Sequence, residues 1–370
     1  MGANDRIRIG FIGAGQIARQ HLTRYATMAA DVQVIAVADV HEPTARSAAE
    51  QFGIAHVFTD FRELLKRDDV DAIDVCVHNN LHRPATEAVL RAGKHAFCEK
   101  PMAGSYRDAA AMLATARETG KRLSIQLGKI FAPETRAAKE LIDAGELGDV
   151  YHARSTGYRR RGRPYVDGYG TPTFVQKRNA AGGALYDMGV YHISRILYLL
   201  GNPKVTRVSG KTHQHTDMDA ARRKTSGYDV EELGLGFVRF EGGVTMDLIE
   251  SWAIHLDPFE GSFVVGSKGG VRLEPFSFHR SYGHMDISGT ADLARTQFRW
   301  NNVAGDGSFY ESPQHHWVAA LQGKCELLPT AEIALATMLI SEAIYLSDAR
   351  GEEVSADEVV KESKSTAVVM

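Results

Sequence analysis

The sequence predicts an α/β protein: an N-terminal parallel sheet covered by helices on both faces, then a C-terminal α/β domain with a large open, mainly antiparallel sheet. Three observations carry this expectation. Over residues 1–127 short apolar runs alternate with longer helical patterns, the signature of βαβ units. A glycine-rich turn joins the first run to the first helical pattern. Beyond residue 127 the apolar segments lengthen and alternate with polar residues.

Taken in order, Ile7–Ile12, Val34–Ala38, Ile73–Val77, Ala96–Cys98 and Leu123–Leu127 are short enough for strands and too continuous to leave a solvated face. A sheet covered on both sides explains them. Between the first two, Ile17, His21, Tyr25 and Met28 recur at helical spacing, so one helix face can lie on the sheet. After Gly128, Pro133 opens a helix that Gly145 ends. Tyr151–Tyr158, Gly234–Phe240 and Val244–Ser251 then read as strands of the second sheet, and 160–181, rich in Gly, Pro, Tyr and Arg, as a long loop within it. The domains are therefore 1–127 and 128–370, and the tail beyond Ser363 is expected to be loosely held.

Composition narrows the function. With 370 residues, 44% hydrophobic and 24% charged, the chain has the balance of a globular enzyme, and a net charge of −3 excludes the basic balance of a nucleic-acid binder. Cys76, Cys98 and Cys325 lie far apart with no zinc-site spacing, which fits a reducing, cytoplasmic setting. No window approaches the roughly 18 consecutive apolar residues of a membrane span, and the N-terminus lacks the layout of a signal peptide, so a soluble chain with no membrane partner is expected.

Gly13-Ala14-Gly15-Gln16-Ile17-Ala18 places G-x-G-x-x-A between a strand and an amphipathic helix. Gly13 permits the tight turn, Gly15 lets backbone approach a pyrophosphate and Ala18 lets helix pack on strand, with free N–H groups at Gln16 and Ile17 facing the anion. Asp39 closes the second strand where an acid accepts ribose hydroxyls and would repel a 2′-phosphate. NAD is the expected cofactor and NADP the lesser fit, with His41 and Arg46 nearby the only counter-signal.

Further along stand Asn79-x-x-His82 and then Glu99-Lys100-Pro101, both at strand ends, and Gly182-Gly183-Ala-Leu-Tyr-Asp187-Met-Gly189-Val-Tyr191-His192. With the glycine turn, these resemble the Gfo/Idh/MocA family of sugar and cyclitol oxidoreductases over nearly the whole chain. The resemblance implies a Rossmann domain, a second domain whose sheet lines the substrate pocket, hydride transfer at C4 of nicotinamide, and a homodimer or homotetramer. It implies that Lys100 contacts the reacting hydroxyl, that Glu99 and Pro101 position that segment, whose peptide before Pro101 is often cis in the family, that Glu99 and Lys100 also border the cofactor, that Asn79 and His82 lie near the nicotinamide and its ribose, and that Asp187 binds substrate and Lys100. Members commonly carry His four positions after that aspartate, where this chain has Tyr191. On an α-helix Tyr191 shares a face with Asp187, whereas His192 points about 140° away; a shifted helix start would instead favour His192.

Oxidising a secondary alcohol requires a base near the departing hydroxyl proton, and Lys100, Tyr191 and His192 are the candidates, with Lys100 expected to be lowered by burial and by the like charge of oxidised nicotinamide, and Asp187 opposing that shift. The alternative for Asp187 is a helix N-cap after Gly182-Gly183. Tyr158, Arg159 and Arg161 are candidate substrate contacts. The arginines, with Arg160 and Arg163, suit an anionic sugar or merely a solvated face, and Tyr165 and Tyr169 suit a pyranose ring or a partner subunit. His213, His215, Asp217 and Asp219 imitate a metal cluster, but no metal is expected. The expected activity is NAD-dependent oxidation of a ring hydroxyl of a sugar, cyclitol or related polyol. An NAD-dependent glycosidase acting through transient ring oxidation, and a non-catalytic dinucleotide-binding regulator, are the rivals.

Overall fold

The computed structural model describes residues 6–257 and 261–368. Its first layer is a six-stranded parallel sheet: β1 (Ile7–Ile12), β2 (Val32–Ala38), β3 (His56–Phe58), β4 (Ala72–Val75), β5 (His95–Cys98) and β6 (Leu123–Ile125), in the order β3-β2-β1-β4-β5-β6. Helices α1 (Gln16–Ala26), α2 (Glu42–Phe52), α3 (Phe61–Leu65), α4 (Asn79–Arg91) and α5 (Tyr106–Thr119) cover it. β1, β4 and β5 are almost wholly buried, as strands sandwiched between helices must be. The strand order reverses between β1 and β4, which opens a crevice at their C-terminal ends. β3, only three residues long and half-buried, left no apolar run for sequence reading to find.

The second layer is a nine-stranded sheet built from β7 (Val150–Tyr158), β8 (Val205–His213), β9 (Leu233–Phe240), β10 (Thr245–Ser251), β11 (Phe263–Gly266), β12 (Gly270–Leu273), β13 (Phe276–Tyr282), β14 (Met285–Gly289) and β15 (Val354–Ser355). Every neighbouring pair is antiparallel except β7 with β10. The helices of this part of the chain are α6 (Pro133–Asp143), α7 (Lys177–Ala180), α8 (Val190–Leu199), α9 (Ala220–Ser226), α10 (Leu293–Asn302), α11 (Pro313–Leu321), α12 (Thr330–Arg350) and α13 (Ala356–Glu362). α12 is long and apolar enough to cross a membrane by length and composition, and most of its apolar stretch is buried against β8, α8 and α5.

Two features depart from the sequence reading. α11 returns to the first sheet, placing Trp317 and Val318 in one core with Phe11 and Phe97. The tail beyond Ser363 is not loose: Ser365 Oγ and Thr366 N donate to Asp108 at 2.6 and 2.8 Å, and Val368 N donates to the Asn80 carbonyl. Buried Asp108 has the acceptor capacity to hold extended backbone that carries no apolar pattern of its own.

Candidate active site

The crevice between the two sheets gathers the glycine turn, the Glu99-Lys100-Pro101 turn and the start of α8. Gly13 has φ +94°, and a Cβ there would lie 2.2 Å from the Cys76 carbonyl oxygen, so backbone of β1 and β4 meets where only glycine fits. At Gly15 a Cβ would meet nothing within 4 Å, and Gly15 caps α1 without any side-chain acceptor for the first N–H groups. The helix start, with exposed Gln16 and half-buried Ile17, is thus an open cradle whose unsatisfied donors suit a pyrophosphate. Asp39 accepts from Ala14 N at 2.8 Å and His41 N at 2.9 Å, which fixes its carboxylate beside the cradle with lone pairs left for a ribose. These residues fit a dinucleotide.

Lys100 leaves the end of β5 through a cis peptide to Pro101. Its Nζ donates to Asp187 Oδ1 at 2.7 Å and to the Asp187 carbonyl at 3.3 Å, and lies 4.7 Å from the centre of the Tyr191 ring. Asp187 Oδ2 accepts from Trp252 Nε1 at 2.9 Å. Burial works against the Lys100 charge, but Asp187, then Tyr191 and Glu99, outweigh it and hold the ammonium above its ordinary range. The expected lowering of Lys100 is therefore corrected for the chain's own residues: a partner at 2.7 Å beats desolvation. Asp187 is held below the usual carboxylate range, Lys100 overcoming burial, and burial raises the Tyr191 phenol.

Asp187 is not an N-cap. It lies inside a π-turn, Leu185–Gly189, just before α8, while buried Glu231 caps the turn by accepting from Gly183 N at 2.8 Å and Leu185 N at 3.0 Å. A turn closed by i→i+5 bonds holds one residue more than an α turn, so His192 is carried toward the sheet instead of 140° away. The structure thus serves both candidates: Tyr191 reaches Lys100, and His192 Nδ1 pairs with Glu250 Oε2 at 2.9 Å. Glu250 Oε1 accepts from Ser155 Oγ at 2.9 Å. A Cβ at Gly157 would fall 2.1 Å from the His192 ring, so this glycine on β7 makes the space.

The other expected contacts are less uniform. Asn79 Nδ2 donates to the Ala180 carbonyl at 2.9 Å. His82 is fully buried with Nδ1 2.7 Å from the Pro101 carbonyl and Nε2 3.1 Å from the Val77 carbonyl. Both ring nitrogens face backbone, so His82 holds the Pro101 turn instead of presenting a donor to the crevice. Arg159 Nη1 donates to Tyr169 Oη and the Gly162 carbonyl; Tyr158 is half-buried, Arg161 exposed, and exposed Arg160 pairs with Asp257. Arg163 is buried against Asp167 and Glu232 and is no substrate contact. His213, His215, Asp217 and Asp219 do not gather as a metal site would. Among the described residues His21, Asp74 and Cys76 come close enough, wholly buried under α1.

Sequence reading missed Glu250, Trp252 and Gly157. A signal existed: Met246, Leu248, Glu250 and Trp252 alternate onto one buried face, and a carboxylate among apolar partners demands a function or a partner.

Comparisons with known proteins identify the family. Residues 7–127 match a family model described as "Oxidoreductase family, NAD-binding Rossmann fold", and residues 135–272 match the GFO/IDH/MocA C-terminal domain, together well over half of the chain. D-glucoside 3-dehydrogenase of Escherichia coli K12 is 29% identical over 94% of this chain and 97% of its own length. A Streptomyces violaceoruber dTDP-3,4-didehydro-2,6-dideoxy-alpha-D-glucose 3-reductase is 35% identical over 56% of this chain and 58% of its own. The fold matches levoglucosan dehydrogenase in complex with NADH, with a TM-score of 0.80 at 20% identity, covering 95% of this chain and 99% of that one. The chain is an enzyme, an NAD-binding oxidoreductase whose relatives act on sugars, and it belongs to the Gfo/Idh/MocA family.

Proposed function

We propose that the protein oxidises a ring secondary hydroxyl of a pyranoside, at C3, in exchange for reduction of NAD. The observation that carries the reading is the Lys100–Asp187 pair at the mouth of the dinucleotide crevice, with Tyr191 against the lysine. The preference for C3 of a glucose-type ring rests on the two curated relatives named for that carbon.

Gly13, Gly15, Gln16, Ile17 and Asp39 would hold NAD, which supplies the hydride acceptor at its nicotinamide. The chain's own residues handle the proton. Lys100 Nζ spends two donors on Asp187, and the third, on the Tyr191 side, is the one a substrate oxygen would take. As an ammonium it stabilises negative charge on that oxygen, and it delivers a proton when a ketone is reduced. Oxidation needs a site that receives the hydroxyl proton: Nζ once deprotonated, Tyr191 Oη once ionised, or His192 Nε2 with Nδ1–H held by Glu250. Trp252 keeps Asp187 turned toward Lys100. Arg159 and Tyr169, linked beside this pair, would bound the sugar, neutral or anionic. A homodimer or homotetramer is part of the proposal and is checked by light scattering.

The test is incubation with NAD, and separately NADP, against glucosides, cyclitols, uronates and free aldopyranoses, following reduced cofactor and product mass together. NADH with a 3-keto product supports the reading. Glycoside cleavage without net NADH would replace it with redox-assisted glycosidase action, and cofactor binding without turnover would leave a regulator. Lys100→Ala should lose at least roughly 100-fold in kcat while binding NADH normally. Because Lys100 is held charged, oxidation should quicken as pH rises toward the lysine's raised range, and ketone reduction should slow there. A pH-independent oxidation rate would remove Lys100 as the proton acceptor.

A further inference from the structure

Beneath α1, away from the Lys100–Asp187 pair, lies a buried polar cluster that the proposed reaction does not use. His21 on α1 is 2% exposed, Asp74 on β4 is 0% exposed, and Glu99 at the end of β5 is 4% exposed. His21 Nδ1 lies 2.9 and 3.1 Å from the two Asp74 oxygens, and Nε2 lies 2.9 Å from Glu99 Oε1. Glu99 Oε2 in turn accepts from Lys100 N at 2.8 Å. The Cys76 thiol donates to Asp74 Oδ1 at 3.2 Å, and the Phe97 ring packs edge-on against the imidazole.

A ring with a carboxylate at each nitrogen can satisfy both only by carrying two protons, so the cluster is an imidazolium between two anions. Burial opposes that charge, but the Asp74 carboxylate outweighs it; Glu99, with His21 beside it, stays below its ordinary range despite burial. Both ring nitrogens are engaged, so the three groups nearest one another serve each other instead of a metal. The sequence marks the cluster twice, with a histidine on the apolar face of α1 and an aspartate in the otherwise apolar strand Ala72–Val75.

The connectivity gives this cluster a task. α1 begins at the pyrophosphate cradle, and Glu99 is the residue before Lys100. We propose that His21 is a positioning residue: by pinning Glu99, which holds the Lys100 backbone N–H, it locks the lysine turn to the helix that receives the dinucleotide phosphates. The proposal rests on Lys100 acting at the reacting hydroxyl, and its test includes a measurement that needs no substrate.

His21→Gln, Glu99→Gln and the double variant, whose two amides can still bond each other, are compared with the intact chain. The readouts are NADH affinity by fluorescence, thermal midpoint, the acylation rate of Lys100 by peptide mass spectrometry, and kcat on whatever sugar is turned over. Expected are Lys100 acylation several-fold faster in both single variants, kcat lower by roughly 10- to 100-fold at nearly unchanged KM, and a double variant no worse than either single one. Unchanged Lys100 reactivity in folded variants, or losses confined to the thermal midpoint, would overturn the proposal. If His21→Gln does not fold, Glu99→Gln breaks the same link from its other end. If no sugar is oxidised by the intact chain, the proposed activity falls while Lys100 reactivity still decides the link.

Discussion

Asp39 is the residue on which a preference for NAD over NADP would turn. Its carboxylate is fixed by two backbone N–H groups, so it cannot swing away from a 2′-phosphate, and repulsion there is built in. Asp39→Ala should therefore improve use of NADP at least severalfold and cost NAD roughly tenfold in kcat/KM, the worth of a lost hydrogen bond to ribose. Steady-state kinetics with both cofactors checks this; unchanged selectivity would mean that His41 and Arg46 govern the pocket instead. Lys100 shows the limit of reading residues singly. Its type and place at a strand end were legible, but the sign of its shift was not, because Asp187 stands 87 positions away and only the fold brings it to 2.7 Å.

At the scale of elements, the glycine turn and α1 were legible, with only Met28 falling beyond the helix end, since a turn and the helix it opens are local in sequence. The start of α8 was not. Whether Leu185–Gly189 winds as an α or a π turn depends on Glu231 capping it from another segment and on Gly157 leaving room for His192 on the sheet. That extra residue per turn is why Tyr191 and His192 both find partners. The C-terminal tail is a second such case, a polar strap that Asp108 holds along with Arg83 and Ser105. Asp108→Ala, which leaves these donors without their acceptor, should cost about 2–4 kcal/mol in urea unfolding. It should also expose residues 363–368 to proteolysis; a tail as resistant as before would show that it is held by other contacts.

For the whole molecule, acid stability follows from two histidines, His316 buried and His95 half-buried, that desolvation keeps as neutral rings. Burial lowers His316 to about 4, and His95 likewise to about 4 with help from Lys121 and Arg122. In the unfolded chain both take up protons near 6.5, so between about pH 6.5 and 4 the unfolded state binds more protons and stability falls as pH falls. Glu274 works lower down: against burial, Arg195 and Lys129 hold it at about 2, so its contribution is present above about 4.5 and fades as pH drops toward 2. His316→Gln, whose amide can replace the bond from Leu328 N, should remove roughly 2–3 kcal/mol of the stability difference between pH 7 and pH 4. Thermal unfolding at both pH values measures it, and an undiminished difference would assign the acid sensitivity elsewhere.

The sequence by itself determined five of the six parallel strands, the glycine cradle, the acid that closes β2 and the residue types at the crevice. All of these follow from periodicity and turn chemistry within a few positions, and the family resemblance added their roles. Tertiary structure alone decided which side chains meet: Lys100 with Asp187, Trp252 with Asp187, His192 with Glu250, and His21 with both Asp74 and Glu99. It also decided that α11 crosses back to the first sheet and that the tail is bound. These pairings join distant positions through strand order and helix packing. Neither leaves a period in the chain, and only buried charge on an apolar face hints at the partner across the core.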